Sequence, residues 1–428
     1  MKLEKPYLFE YYPELEGKIP WTPLLTGIPT DVDRLQKLEK HFELDEGKIY
    51  IKRDDKDHHI YGGNKLRKFE FIFGDALEKE KIGIATMGGI GTNHGLAAAI
   101  IAKELQIKCD LLLFPQPITW HVQRSLLLYD YFGANLHLCG GDVSTLFKLL
   151  WFQITHPKYY MMMPGGTPLF GIGTSLGTIG FINAICELNN QINDGMISKP
   201  DDIFIAGGST GTAAGLVAGV KLLDLDILVN VVPVYGSLVA NPKAVIRNSK
   251  KAIKYLRNRD KSIPKLKITK DDFNFHEGYL GSTYGKKTER GQYAVDIVEK
   301  LEGKEKGFKL ETTYTGKAMA AMFDYIKNPE NKDRTVLFWN TYNSNDLDEY
   351  LRKTEFDFER LPEEFHQFYK DDLFQCWQLH DCKTTLEECP TYLNHEYRCW
   401  KVKNCTEESR EKCKAYKKLK DKIILEEA

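Results

Sequence analysis

The sequence predicts an α/β protein built on parallel sheets in two domains, with a small cysteine-rich appendage at its C-terminal end. Three observations lead there. Short apolar runs alternate with helix-forming stretches of about 10–15 residues, the order that builds βαβ units. The runs are apolar throughout, as strands are in a sheet covered on both faces. Six of the nine cysteines (Cys376, Cys382, Cys389, Cys399, Cys405, Cys413) fall after residue 375, which sets that end of the chain apart.

Taken in order, residues 1–30 are rich in Pro and aromatics, and Trp21-Thr22-Pro23-Leu24 reads as extended. Asp31–Phe42 reads as a helix. Ile49–Ile51 is a short apolar strand leading to Arg53, Asp54 and Asp55, then to Gly62-Gly63-Asn64-Lys65. Helix formers continue from Lys65 to Leu77. The next pairs are strand Lys81–Gly89 with helix Thr92–Leu105, strand Lys108–Phe114 with helix His121–Phe132, and strand Asn135–Cys139 with helix Asp142–Gln153. Met161–Gly166 closes on Pro-Gly-Gly, and a long helix spans Ser175–Gln191. Strand Asp202–Ala206 runs through Gly207-Gly208-Ser209-Thr210-Gly211-Thr212 into helix Ala213–Leu223. Strand Ile227–Val234 and the basic helix Lys243–Arg259, with a solvated charge run, come next. Phe273–Gly285 reads as irregular, Glu289–Glu302 and Lys317–Ile326 as helices, and Arg334–Trp339 as the last strand.

A chain of 428 residues, 42% hydrophobic and 28% charged, has the means for a sizeable core in two or three domains. Its 59 basic and 60 acidic residues leave a formal charge of −1, so no electrostatic footprint for nucleic acid is expected. Neither a signal peptide nor a run of about 20 apolar residues stands out, and the expected location is cytoplasmic, off the membrane. Cys109, Cys139 and Cys186 lie in apolar contexts and read as packing residues.

Three strand ends carry chemistry. Lys65 follows a Gly-rich turn at a helix entrance, where the positive dipole end disfavours its ammonium form. A lysine kept neutral is what Schiff-base chemistry needs; a solvated surface lysine is the bland reading. Gly207–Thr212 offers backbone N–H groups to one anion, with no lysine of the Walker type after it, and suits a phosphate monoester; a βα turn that holds nothing is the alternative. Thr92, Asn93 and His94 sit where open sheets gather ligands, although Thr and Asn are also ordinary N-caps. Tyr284 and Tyr314 are loop tyrosines beside glycines, suited to packing or to proton transfer. A lysine, a phosphate cup and polar groups together match pyridoxal 5′-phosphate.

Lys52-Arg53-Asp54-Asp55, Gly62-Gly63-Asn64-Lys65-Leu66-Arg67-Lys68, Gly91-Thr92-Asn93-His94, Gly208–Thr212, Tyr284-Gly285 and Tyr314-Thr315-Gly316-Lys317 resemble, in order, the fold-type II pyridoxal-phosphate enzymes. Within them the chain resembles the D-cysteine desulfhydrase / 1-aminocyclopropane-1-carboxylate deaminase family. The resemblance implies a tryptophan synthase β-like fold, a homodimer and a small amino-acid substrate. It implies that Lys65 carries the cofactor and serves as base at Cα, that Asn93 bonds the ring hydroxyl, and that Gly208, Ser209, Thr210, Gly211 and Thr212 hold the phosphate. Thr92 would lie near the substrate carboxylate, Tyr284 and Tyr314 would flank the substrate, and Thr341 would face the pyridine nitrogen. A neutral partner there makes the ring a weaker electron sink, which suits β-elimination.

Two positions steer the choice of reaction. Thr315 stands where ring-opening deaminases carry Glu, and His94 resembles the desulfhydrase branch. Both favour β-elimination of D-cysteine to pyruvate, hydrogen sulfide and ammonia. Deamination of 1-aminocyclopropane-1-carboxylate, elimination from another small amino acid, and a sensor that binds amino acid without turnover are the alternatives. Thr92 replaces the family's Ser, and Asn340-Thr341-Tyr342-Asn343 stands in place of His-Thr-Gly-Gly. The expected division is a large domain over 1–67 and 175–365, a small inserted domain over 68–174, and the module 366–428. In that module C-W-x4-C followed by C-x-x-Y occurs twice. Its six cysteines are candidates for zinc, an iron–sulfur cluster, disulfides or free thiols.

Overall fold

The computed structural model describes residues 3–168, 172–355 and 357–369. The cysteine repeat lies outside the described residues. Two short helices, α1 (Leu8–Tyr11) and α2 (Gln36–His41), flank strand β1 (Val32–Arg34). The sequence predicts one helix over Asp31–Phe42, and its first half is instead this strand. The reason is tertiary: β2 (Ile49–Lys52) offers a free edge, and β1 pairs with it antiparallel, Val32 opposite Lys52 and Arg34 opposite Tyr50.

From β2 the chain alternates largely as predicted, although Tyr159–Met162, given no strand, and Phe273–Phe275, read as irregular, pair into the sheets. Helix α3 (Asn64–Glu78) leads to β3 (Gly83–Gly89), α4 (Asn93–Glu104), β4 (Lys108–Phe114), α5 (Trp120–Tyr131), β5 (Ala134–Leu138), α6 (Asp142–Thr155) and β6 (Tyr159–Met162). Then follow α7 (Leu176–Asn193), β7 (Asp202–Gly207), α8 (Gly211–Leu222), β8 (Leu228–Pro233) and α9 (Pro242–Arg257). The last part holds β9 (Phe273–Phe275), α10 (Glu289–Val298), α11 (Lys304–Lys306), α12 (Thr315–Lys327), β10 (Val336–Trp339) and α13 (Asp348–Lys353). Helix α3 runs unbroken across residue 68, the position expected to begin the inserted domain.

One sheet has the order β1-β2-β10-β7-β8-β9 and the other β5-β4-β3-β6. In the first, every neighbour from β2 to β9 is parallel, with Phe338 of β10 between Ile51 of β2 and Phe204 of β7. Parallel pairing brings the carboxyl ends of β2, β10, β7 and β8 to one edge, where ligands gather in open α/β sheets. One face of this sheet packs Ile49, Ile51, Phe204, Val232 and Phe338 against Ala318, Met319, Met322 and Phe323 of α12. Helix α7 packs against α3 and α8.

A buried charge network fixes the start of α3. The Arg67 guanidinium donates to both oxygens of Asp54 at 2.7 and 2.8 Å and to Glu187 at 2.8 Å. Lys52 Nζ reaches Glu187 at 2.7 Å, and the Trp339 indole donates to Asp54 at 2.6 Å. Burial works against an ionised Glu187, yet Arg67 and Lys52 hold its carboxyl below the usual carboxylate range. The network thus ties α3, β2, β10 and α7 at the depth where the site begins.

The chain condenses into two units. The first comprises residues up to Met87, Ile100–Lys108 and Leu149–Asn345. The second comprises Gly88–Ala99, Cys109–Lys148 and the chain from Asp346 to the end of the described residues. In the second unit β4 and β5 pair in parallel, and Gln123 binds the last described turn: its side chain donates to Phe368 O at 2.9 Å and its carbonyl accepts from the Tyr369 hydroxyl at 2.7 Å. Cys109, Cys139 and Cys186 are buried free thiols. Among the described residues no helix is long and apolar enough to cross a membrane.

Candidate active site

Lys65 owes its position to the turn before it. A Cβ on Gly62 would lie 2.0 Å from Asp55 O, and Gly63 adopts φ +112, so neither position accepts another residue without strain. The turn is held from the end of β10 as well. Asn343 Oδ1 accepts from Gly62 N at 2.8 Å, and Asn345 Nδ2 donates to His58 O at 2.6 Å. Asn343, where the resemblance sets a glycine, and Asn345 thus bring a side-chain clamp onto the lysine loop.

Asn64 bridges Lys65 to the second strand end. Its Oδ1 accepts from Lys65 Nζ at 2.8 Å, and its Nδ2 donates to Thr212 Oγ1 at 3.0 Å. Gly208–Thr212 opens α8, and Thr210 takes a left-handed conformation at φ +64 that turns successive N–H groups towards one point. Gly211 leaves no room for a side chain, because its Cβ would meet Thr167 Oγ1 at 2.0 Å. Ser209 Oγ donates to Thr167 Oγ1 at 3.2 Å.

Lys68, one helical turn after Lys65, reaches this same loop region. Its Nζ donates to Gly165 O at 2.8 Å and Thr167 Oγ1 at 3.4 Å, both neutral. Burial, and then the charge of Lys65, pushes Lys68 down to about 7. Burial likewise lowers Lys65 to about 8, opposed by the carboxylate of Glu311.

The tyrosines complete the first unit's cluster. Lys65 Nζ lies 6.0 Å from the centre of the Tyr314 ring, whose edge is 3.4 Å from a Cβ built on Gly208. The Tyr284 and Tyr314 hydroxyls share a hydrogen bond. Burial raises both phenols, Tyr314 well above the ordinary value, so both stay protonated at neutral pH. Tyr235, after β8, places its ring 4.7 Å from that of Tyr284. Glu311 accepts from the backbone N–H groups of Thr313, Tyr314 and Thr315 at 2.7–2.8 Å, an anion capping the start of α12. The Thr315 hydroxyl turns to the same carboxylate at 3.2 Å and is buried. Thr341 abuts Gly63, its carbonyl 2.7 Å from a Cβ built there.

In the second unit Thr92 and Asn93 stand at the start of α4. Thr92 Oγ1 accepts from Gly95 N at 3.3 Å, as a cap does, and Thr92 O accepts from the Tyr129 hydroxyl at 2.9 Å. His94 is buried within α4.

His58, His59 and Glu104 also approach one another. His58 Nδ1 accepts from the N–H groups of Ile60 and Tyr61, so Nε2 carries the proton and donates to Glu104 at 3.1 Å. That nitrogen has no lone pair for a metal, and the group is a hydrogen-bonded brace beneath the lysine loop.

Sequence reasoning passed over Asn64, Lys68, Glu311 and Tyr235. Lys68 had a usable signal, since a second lysine three residues on lies on the same helix face. Glu311 had none, because its role depends on the fold of its own turn. Two lowered lysines, with no carboxylate salt bridge among the described residues, beside a helix N-terminus with a left-handed turn, form a donor set for a doubly charged phosphate. Lys65 adds an amine neutral enough to condense with an aldehyde. Pyridoxal phosphate carries both groups, and these residues fit it.

Comparison with known proteins agrees. The family model described as pyridoxal-phosphate dependent enzyme matches residues 24–341. The D-cysteine desulfhydrase of Klebsiella pneumoniae subsp. pneumoniae is 30% identical over 327 residues, which cover 74% of this chain and 92% of that protein. That of Salmonella newport is 31% identical over 330 residues, with the same coverage. A solved ACC deaminase homologue superposes with a TM-score of 0.63 at 25% identity, covering 82% of this chain and 99% of that one. The serine racemase from Dictyostelium discoideum shares the fold, with a TM-score of 0.52 at 16% identity over 79% of this chain and 97% of its own. The chain belongs to the pyridoxal-phosphate-dependent enzymes, in the family of the D-cysteine desulfhydrases.

Proposed function

We propose that this chain cleaves D-cysteine by β-elimination, releasing hydrogen sulfide and an enamine that one water converts to pyruvate and ammonia. The observation that carries the choice of reaction is at Thr315. It stands where ring-opening deaminases carry a carboxylate, and its hydroxyl is committed to Glu311 rather than offered to a substrate. The desulfhydrase relatives, matched over 92% of their length, support the same choice.

When bound, pyridoxal phosphate supplies an aldehyde for the amine and a ring that draws electrons from Cα. The chain's own residues do the rest. Lys65 would hold the cofactor through its amine and, when its amine is free, would take the proton from Cα. Gly208, Ser209, Thr210, Gly211 and Thr212 would bind the phosphate, with Lys68 as its cation. Asn93 would bond the ring hydroxyl, Thr341 would serve the ring nitrogen, and Thr92 would receive the substrate carboxylate. Tyr314 and Tyr284, kept protonated, donate to the leaving sulfur, and His94 and Thr315 shape the substrate side. A homodimer, and a division into a large and a smaller inserted domain, belong to the same reading.

The test is an absorbance spectrum of the purified protein with and without D-cysteine, with sulfide and pyruvate assayed in the same tube. We expect a cofactor band that Lys65→Ala abolishes, and both products from wild type. A band with no product from D-cysteine overturns the substrate and leaves ring-opening deamination, another amino acid or sensing. No band after reconstitution overturns the site.

A further inference from the structure

Lys317, in the first turn of α12, is fully buried. Its stem lies along α10, with Cγ 3.4 Å from a Cβ built on Gly291, and its Nζ donates to Leu280 O at 2.7 Å. Burial lowers its ammonium, and the Glu311 carboxylate opposes that. Burying a lysine amine on one neutral carbonyl is a poor way to gain stability, so the residue matters for what it holds. It holds the base of a loop. Residues 281–287 are all exposed, and Gly281 and Gly285 both take φ +80, a bend that other residues adopt only with strain. The two ends of the loop meet. A Cβ on Gly281 would lie 2.7 Å from Thr288 Cγ2, and Thr288 Oγ1 caps α10 by accepting from Gly291 N at 3.1 Å.

Tyr284 lies within this loop. Its ring rests on that of Tyr235, and its hydroxyl bonds to that of Tyr314. Tyr314 stands at the N-cap of α12, three residues before Lys317. An exposed loop with two left-handed glycines offers the Tyr284 ring many placements, whereas a hydrogen bond between two phenols holds only within a narrow range of distance. We infer that Lys317 is a positioning residue for the two phenols: it pins the base of the 281–287 loop to the helix that Tyr314 begins, so that Tyr284 and Tyr314 are set from one element. The inference rests on the reading above in which both phenols donate to the leaving sulfur. With its amine on Leu280 O, Lys317 acts through the loop and not on the substrate. A mere brace between α10 and α12, which pack together, would cost stability when removed; a pin costs placement.

The test is Lys317→Met in the full-length, cofactor-loaded protein, a change that keeps the apolar stem and removes the donor. Tryptic cleavage after Lys286 or Lys287, both exposed in this loop, should be about tenfold faster than in wild type, with the melting temperature and the cofactor dissociation constant unchanged. With D-cysteine, kcat should fall about 10- to 100-fold while KM stays within about twofold. On a Tyr284→Phe background, Lys317→Met should lower kcat by less than about a further twofold, because the group it places is already gone. Should Lys317→Met fold poorly, Lys317→Gln, with a donor on a shorter stem, should show the same losses in smaller measure. Wild-type cleavage and kcat in both variants overturn the inference. So does a kcat loss that multiplies in full with that of Tyr284→Phe, or one matched by a fall in melting temperature or cofactor affinity, since either makes Lys317 a support for the fold or the cofactor. If wild type releases no sulfide from D-cysteine, the functional reading falls, and the cleavage rate alone decides on the pin: a faster rate upholds it and an unchanged rate overturns it.

Discussion

Lys65 and Lys68 share one helix face, and the proposed chemistry asks different things of them: one would be a nucleophilic amine, the other a counter-ion. Lys65 is lowered to about 8, so condensation of cofactor-free protein with added pyridoxal phosphate should accelerate as pH rises through about 8, not near 10. The initial rate of band formation against pH measures this. Lys68→Met should raise the cofactor dissociation constant about 10- to 100-fold, the worth of one charged hydrogen bond, while kcat at saturating cofactor stays close to wild type. The linkage has a definite sign. Both folded-state values lie below those of the unfolded chain, so between about pH 7 and 10 the unfolded state binds more protons, and these groups make cofactor-free protein more stable as pH rises. Denaturant unfolding at several pH values should show a shallower slope in Lys68→Met. The Gly-Gly-Asn turn and the helix entrance, both local, made Lys65 a candidate, and the resemblance supplied its role. Lys68 was not, because its partners Gly165 and Thr167 lie about a hundred residues away.

At the scale of elements, the loop after β10 carries one of the departures noted from the resemblance. Asn343 stands where the resemblance sets a glycine and bonds the turn before Lys65. Asn343→Gly should restore the family residue and yet loosen that turn, lowering kcat more than it changes KM and costing about 1 kcal/mol of stability. Steady-state kinetics beside a thermal melt separate this from a general loss of fold. A KM effect alone would place Asn343 against the substrate. The strand–helix alternation that builds these elements was readable almost throughout, since apolar runs and glycine punctuation are local signals. Asp31–Phe42 was misread because strand β1 exists through its edge pairing with β2, which no local pattern announces.

For the whole molecule, the Lys52–Glu187–Arg67–Asp54 network joins segments more than a hundred residues apart. Glu187→Gln leaves two buried cations short of charge and should cost about 3–5 kcal/mol in denaturant unfolding. Because the Glu187 carboxyl is held below its ordinary value, its contribution is present above the usual carboxylate range and fades as pH falls beneath it. The cost of Glu187→Gln should therefore shrink in acid.

By itself the sequence determined the alternating α/β class, which rests on local spacing of glycines and apolar runs, and through the resemblance of its motifs it pointed to the family and to the lysine and glycine turn that we propose hold the cofactor. Only the tertiary structure decided that Lys68 joins the phosphate turn, that Thr315 serves Glu311, that Asn343 clamps the lysine loop, and that Lys317 reaches the loop of Tyr284. Those outcomes depend on which distant segments meet, and burial and pairing across such distances leave no periodic trace in the chain.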